Sequence, residues 1–232
     1  MSYDYLKDLF IDEATPALQR HSGGGAPDTR LKELVENTLT ELVDDTIKSV
    51  RNYGFHKSGI QKVDLQKCIS VGQNAFQYNT NLINVKLPSC TSVGTYAFAD
   101  CSALTNINLS DCVTLNKGAL SSCVKLTSLV LPNCETIGDN AFHSCDALER
   151  IDLGSVTKIG TKAFYGCDVL KTLIIRTNQI PTVTDPTYLF SYTAIGSSGY
   201  IYVPDNLVES YKGAYGFSTY ANYIKGLSEL AE

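Results

Sequence analysis

A unit of 22 residues recurs along this chain, and no other feature limits its fold so tightly. The segment V/I/L-G-x-x-A-F-x-x-C-x-x-L begins at Val71 (VGQNAFQYNTNL), Val93 (VGTYAFADCSAL), Leu115 (LNKGALSSCVKL), Ile137 (IGDNAFHSCDAL) and Ile159 (IGTKAFYGCDVL), each 22 residues after the last. A worn copy, one residue shorter, begins at Val50 (VRNYGFHKSGI). Self-similarity at a fixed period of this size marks a solenoid, in which each unit touches only its neighbours.

Each copy runs on into a short alternating segment: Val63-Asp64-Leu65, Val85-Lys86-Leu87, Ile107-Asn108-Leu109, Leu129-Val130-Leu131, Ile151-Asp152-Leu153 and Leu173-Ile174-Ile175. Period-two alternation predicts a short strand with one side chain inward and the next outward. The G-x-x-A-F segment suits a tight turn or a single helical turn. Its Gly is expected to take φ > 0, its Ala to allow close approach and its Phe to fill the space between coils. A unit this small cannot bury its own apolar side, so coils stacked about 4.8 Å apart must share one continuous core.

The cysteines follow the same period. Cys68, Cys90, Cys112 and Cys134 share one repeat column, with Ile47 before them and Val156 after. Cys101, Cys123, Cys145 and Cys167 share a second, where the earlier copy has Asn79. An even count of eight suggests disulfides. Yet apolar residues replace Cys at both ends of the first column, and the columns lie half a repeat apart. The thiols therefore read as small buried hydrophobes, and their spacing is not that of a zinc site.

Two flanks break the repeat. Residues 1–28 predict a short helix, with Leu6, Leu9, Phe10 and Ala14 on one face, halted near Pro16 and followed by the flexible linker His21 to Asp28. Residues 29–49 read as an N-terminal cap over the first coil, 50–175 as the repeats, and 176–232 as a C-terminal cap. Within the last, Tyr200 to Pro204 reads as a strand. Asp205 is placed to cap a helix through NLVESYKGAY, and Ser218 another through TYANYI.

Composition excludes several functions. A net charge of -5 offers no basic field for nucleic-acid phosphates. No run approaches the roughly 18 apolar residues of a membrane span. The opening MSYDYLKDLFIDEATPALQRH lacks the basic start and apolar centre of a secretory signal. The expected locations are therefore a virion, the cytoplasm, or a surface from which a mature protein has lost its signal. Of three histidines, His21 lies in the linker and His56 and His143 in different coils, so no triad can be assembled. His143 and Cys145 read as an exposed imidazole and a buried thiol. Gly23-Gly24-Gly25 lacks the context of a phosphate loop, and Asp44-Asp45 suits a turn. The expectation is no enzyme, no cofactor and no metal.

The motif IGxxAFxxCxxLxxIxLP, legible as IGDNAFHSCDALERIDL and VGTYAFADCSALTNINL, resembles the BspA-like leucine-rich repeat family. The terminal IYVPDNLVESYKGAYGFSTYANYIKGLSEL resembles the segment that often closes such repeats, so the likeness covers roughly Leu39 to Leu230. Repeat and resemblance together predict a mainly β chain with short helices: a single right-handed leucine-rich-repeat solenoid of 22-residue repeats with N- and C-terminal caps. The resemblance implies a gut-bacterial or phage-associated protein, with adhesion to a host or cell-surface partner. It supplies no shared contact residues to carry over.

The expected binding surface is the outward side of the strands. One column runs Lys62, Asn84, Asn106, Ser128, Arg150, Thr172, and the other Asp64, Lys86, Asn108, Val130, Asp152, Ile174. A second candidate is the C-terminal region, which holds Tyr188, Tyr192, Tyr200, Tyr202, Tyr211, Tyr215, Tyr220 and Tyr223, although these rings also suit packing of the cap. The candidate contact residues are Lys62, Asp64, Asn84, Lys86, Asn106, Asn108, Arg150, Asp152, Tyr200 and Tyr202. The function expected is a non-catalytic module that recognises a protein or glycan. The alternative is a structural spacer or receptor-binding accessory of a phage tail or similar particle, attached through residues 1–28.

Overall fold

The computed structural model describes residues 40–230, so the helix and linker expected in 1–28 lie outside the described residues. Among the described residues the coils pair edge to edge into three parallel sheets. Strands of three or four residues form a broad strand face. Glu41–Val43, Lys62–Asp64, Asn84–Lys86 and Asn106–Asn108 make its first sheet; Ser128–Leu131, Arg150–Leu153, Thr172–Ile175, Tyr200–Val203 and Ile224–Gly226 make the next. A two-residue strand forms a second edge of each coil, from Ser49–Val50 to Thr182–Val183, giving a seven-stranded ladder. Lys62 pairs with Asn84 and Asn84 with Asn106; Ser128 pairs with Arg150, then Thr172, then Tyr200. A fixed repeat length dictates this direct register, because a slip of one residue would turn every inward side chain out.

The inward strand residues Val63, Val85, Ile107, Leu129, Ile151 and Leu173 are buried. On the turn side the core is a stack of rings. Phe55, Phe76 and Phe98 lie parallel at 5.3 and 5.1 Å between centroids, and Phe142, Phe164 and Phe190 at 5.6 and 5.7 Å. Leu120 separates the two stacks and is itself fully buried.

The turns differ from expectation in one respect. The motif glycines Gly72, Gly94, Gly138 and Gly160 are not left-handed. What they supply is the missing Cβ, which at Gly94 would lie 2.5 Å from the Gly72 carbonyl carbon and at Gly160 2.4 Å from the Asp139 nitrogen. The left-handed residues are instead those two before and two after the Phe, as with Asn74 and Tyr78 (φ 55° and 61°) or Asn140 and Ser144 (54° and 56°). Each turns its N–H along the stack: Asn74 N–H donates to Thr95 O at 2.9 Å and Tyr78 N–H to Ala99 O at 3.0 Å. The intervening Gln77 N–H closes back on Asn74 O at 3.2 Å. Alternate amides thus bond within a turn and between coils, which satisfies the turn's buried backbone.

All eight cysteines are buried and unpaired. In the second column each thiol donates to the carbonyl under the ring stack of the preceding coil: Cys101 to Phe76 O at 3.3 Å, Cys145 to Leu120 O at 3.2 Å, Cys167 to Phe142 O at 3.0 Å. First-column thiols bond within their own turn, as Cys68 does to Ser70 O at 3.2 Å. In-register coils about 4.8 Å apart hold parallel Cβ atoms farther apart than the roughly 3.8 Å a disulfide wants. Burial pushes the Cys68 thiol up to about 11, and Cys90 and Cys101 to about 12. The native protein is therefore expected to resist Ellman's reagent at pH 8, and the protein unfolded without reductant to release all eight thiols. A count near zero after unfolding would refute buried, reduced cysteine.

Both ends depart from the expected outline. The strand Glu41–Val43 already pairs with Lys62–Asp64, and Leu42 and Ile47 are buried, so coil structure begins within 29–49. At the other end a further, longer coil follows Ile175. Val183 pairs with Ile159, Phe190 stacks on Phe164, and Thr193 Oγ1 donates to Phe190 O at 2.9 Å where earlier coils carry cysteine. Beyond Tyr200–Val203 come a 3-10 turn at Asp205–Leu207, an α-helix at Val208–Gly213 and a 3-10 segment at Ser218–Tyr223. Asp205 does not cap that helix. Its carboxylate accepts the Ser228 hydroxyl at 2.6 Å, and that bond draws its pKa below the usual range. Ile224 leaves the expected second helix for a strand beside Tyr200–Val203.

Candidate binding surfaces

The register places the candidate contact residues in two ladders on the strand face. Lys62, Asn84 and Asn106 align, as do Arg150 and Tyr200; Asp64, Lys86 and Asn108 form the adjacent column, as do Asp152 and Tyr202 across Ile174. One residue per coil at fixed spacing lets opposite charges meet sideways. Lys62 Nζ lies 3.2 Å from Glu41 Oε2, and Lys86 Nζ 3.1 Å from Asp64 Oδ2. Partial burial would raise the Asp64 pKa, but the Gln66 amide and the Lys86 ammonium outweigh it and hold it below the carboxylate range. Asn106 and Asn108 are exposed, as is Val130 at 59%.

Outward alternation fails in two places. Ile174, expected to face solvent, is fully buried, and Asp152 is 7% exposed. Arg176 reaches back over the sheet to Asp152, Nε to Oδ1 at 2.8 Å and Nη2 to Oδ2 at 2.7 Å. That fork occupies both carboxylate oxygens. Asp152 thus anchors Arg176, whose half-exposed guanidinium is the group presented at the surface.

Seven of the eight tyrosines divide into three sets, and Tyr215 stands apart from them, exposed. Tyr211 is fully buried, with its hydroxyl donating to Gln179 O at 3.3 Å, and Tyr220 packs edge-on to Phe190; these two cover the end of the core. Tyr200, Tyr202 and Tyr223 gather at the end of the strand face, with Lys225 Nζ 3.9 Å above the Tyr200 ring. Tyr188 and Tyr192 lie on the turn face, beside Tyr165 and His143 of the preceding coils. The sequence does not show this last grouping, because the coil that carries Tyr188 and Tyr192 is longer than 22 residues. Its signal is the match of YLFSYT to KAFYGC, four residues late. Among the described residues no three His, Cys, Asp or Glu side chains converge as metal ligands, and no helix is long and apolar enough to cross a membrane.

No curated protein matches the chain. Among solved structures it is similar to a leucine rich cell surface protein from Faecalibacterium prausnitzii A2-165, at 20% identity and a TM-score of 0.41 over 84% of this chain and 62% of that one. It is also similar to a leucine-rich repeat protein from Bacteroides ovatus ATCC 8483, at 21% identity and a TM-score of 0.40 over 81% of this chain and 61% of that one. The chain thus spans about three fifths of the length of either structure. The profile of the BspA type leucine rich repeat region matches in six copies, over residues 37–115, 72–196 and 113–224. The chain belongs to the BspA-type leucine-rich repeat family.

Proposed function

We propose that this chain is a non-catalytic adhesion module that holds a protein partner against its strand face. The observation that carries this reading is the aromatic end of that face. Tyr200, Tyr202 and Tyr223 stand beside Lys225, on and next to strands fixed by the parallel ladder. Tyr and Arg are the side chains that dominate protein interfaces, and a rigid scaffold lowers the entropy lost on binding. Lys62, Asn84, Asn106 and Arg150, with Asp64, Lys86 and Asn108 beside them, extend the contact along the ladder as a polar rim. The same spacing argues against catalysis, since ionisable groups arrive one per coil and the nucleophilic thiols are buried.

Biolayer interferometry of the intact protein against panels of host epithelial surface proteins and bacterial envelope proteins tests this. The expected result is a saturable protein partner whose affinity falls at least about tenfold in Tyr200→Ser/Tyr202→Ser, with the melting curve unchanged. No binding across the panels, or full binding by the double variant, rejects the reading.

A further inference from the structure

The turn face carries a second aromatic site, remote from the strand ladder. The Tyr165 ring stacks on His143 at 5.1 Å and meets Tyr192 at 5.2 Å and Tyr188 at 6.3 Å, both nearly perpendicular (70° and 74°). Lys162 Nζ lies 5.0 Å from the Tyr188 centroid and 5.6 Å from that of Tyr165. Asp185 lies within electrostatic reach of Lys162, and the Ser144 hydroxyl lies 2.9 Å from His143 Nδ1. Tyr192 is 70% exposed and Tyr188 47%.

Folding accounts for the backbone of this corner but not for the rings left exposed on it. Tyr192 occupies a left-handed corner (φ 56°) that the preceding coil fills with Gly166 (φ 72°). A bulky side chain there is strained where glycine is not, and its ring is left in water. Tyr78 holds the same corner at φ 61° and 43% exposure, so the backbone belongs to the winding, and it is the 70% exposure of Tyr192 against two further rings that points to function.

The chemistry of the corner selects a class of ligand. Its walls are aromatic faces and edges, and every other named group is a hydrogen-bonding one: phenol, ammonium, carboxylate, hydroxyl, imidazole. A pyranose presents the complementary pattern, with C–H groups on one face and hydroxyls around its edge. Its face fits the exposed ring of Tyr192, and its hydroxyls find a donor in Lys162 and an acceptor in Asp185. The opposite charges of Lys162 and Asp185 offset each other, which favours an uncharged sugar over a sialylated or sulfated one. We propose that the corner formed by Tyr165, Tyr188 and Tyr192 binds a hexose unit of a neutral glycan.

The full chain has no tryptophan and 14 tyrosines, so its emission is tyrosine emission, and the share of the corner is read as the difference from Tyr192→Gly. It should be titrated with cellotetraose, mannotetraose, maltotetraose and tetra-N-acetylchitotetraose, and with sialyllactose and a heparin hexasaccharide as charged probes, with calorimetry in parallel. At least one neutral oligosaccharide should bind, about tenfold more weakly to Tyr192→Gly and to Tyr188→Ala, and unchanged to Tyr200→Ser/Tyr202→Ser. Tyr192→Gly should melt no lower than the parent, because Gly166 already serves the same corner. Four results would each overturn the proposal: no neutral sugar binds, only charged probes bind, Tyr192→Gly binds as the parent does, or Tyr192→Gly unfolds early. Loss of a protein partner by Tyr192→Gly would instead assign the corner to protein recognition and overturn it too. The strand-face variants report separately, so failure here leaves the adhesion reading standing.

Discussion

Asn79→Ala is expected to lose about 2–4 kcal/mol of stability, the combined cost of broken buried hydrogen bonds and an unfilled space. Asn79 is fully buried at the head of the second cysteine column. Its Nδ2 donates to Phe55 O at 2.7 Å and to Phe76 O at 2.8 Å, and its Oδ1 accepts the Ser58 hydroxyl at 2.9 Å. The bond to Phe55 O is the one each later coil makes with a thiol, as Cys101 does to Phe76 O. Asparagine therefore does the work of cysteine there and also satisfies Ser58, which is 4% exposed. Asn79→Cys should cost less than Asn79→Ala because it keeps a donor toward Phe55 O. Adding Ser58→Ala to Asn79→Cys should recover part of the remaining loss, by removing the hydroxyl that has lost its acceptor. Urea melts followed by circular dichroism give the order. Equal stability of the alanine variant and the parent would show that this network contributes nothing.

The difference between Asn79 and the cysteines shows what the sequence could and could not reveal. A column is a matter of spacing, so Asn79 could be aligned with Cys101 by counting. Its three hydrogen bonds depend on where coils lie in space. Glycine misled for a related reason. A residue without Cβ serves either a left-handed φ or a close approach, and only the 2.5 Å gap at Gly94 decides between them. Left-handed corners at Asn74, Asp100, Asn140 and Ser144 carry turn residues, but those at Tyr53, Tyr78, Tyr96 and Tyr192 carry no turn signal.

At the surface, the period sets Asp64 beside Lys86 in one column, and the structure closes that pair and the pair of Glu41 with Lys62. The fork from Arg176 was not, because Arg176 lies just beyond the last regular strand and reaches back to the preceding one. The corner at Tyr165 was hidden for the same kind of reason, since a 22-residue register does not extend into the longer coil that supplies Tyr188 and Tyr192. Regular positions were legible where the period held. The proposed contacts concentrate where it stretches.

Phe142→Ala should be the most damaging single truncation in the chain, at about 3–5 kcal/mol. The Phe142 ring is fully buried and begins the second stack, 5.6 Å from Phe164, with Leu120 on its other side. Its removal opens a space in the middle of the solenoid, where coils on both sides are held by the ladder and cannot collapse inward. In a one-dimensional array the loss falls on the interfaces of one coil with its two neighbours. The expected signature is therefore more than a lower midpoint. The single urea transition of the parent should split in two, and hydrogen exchange should quicken first in the turn Ile137 to Cys145 and its neighbours. Phe142→Leu should cost much less, because Leu120 already fills this column next to Phe98 without interrupting the backbone ladder: Leu120 N–H donates to Ala141 O at 2.9 Å, as Phe98 N–H does to Ala119 O. If alanine and leucine at position 142 proved equally stable, the ring stack would be a consequence of the winding and no part of what holds the coils together.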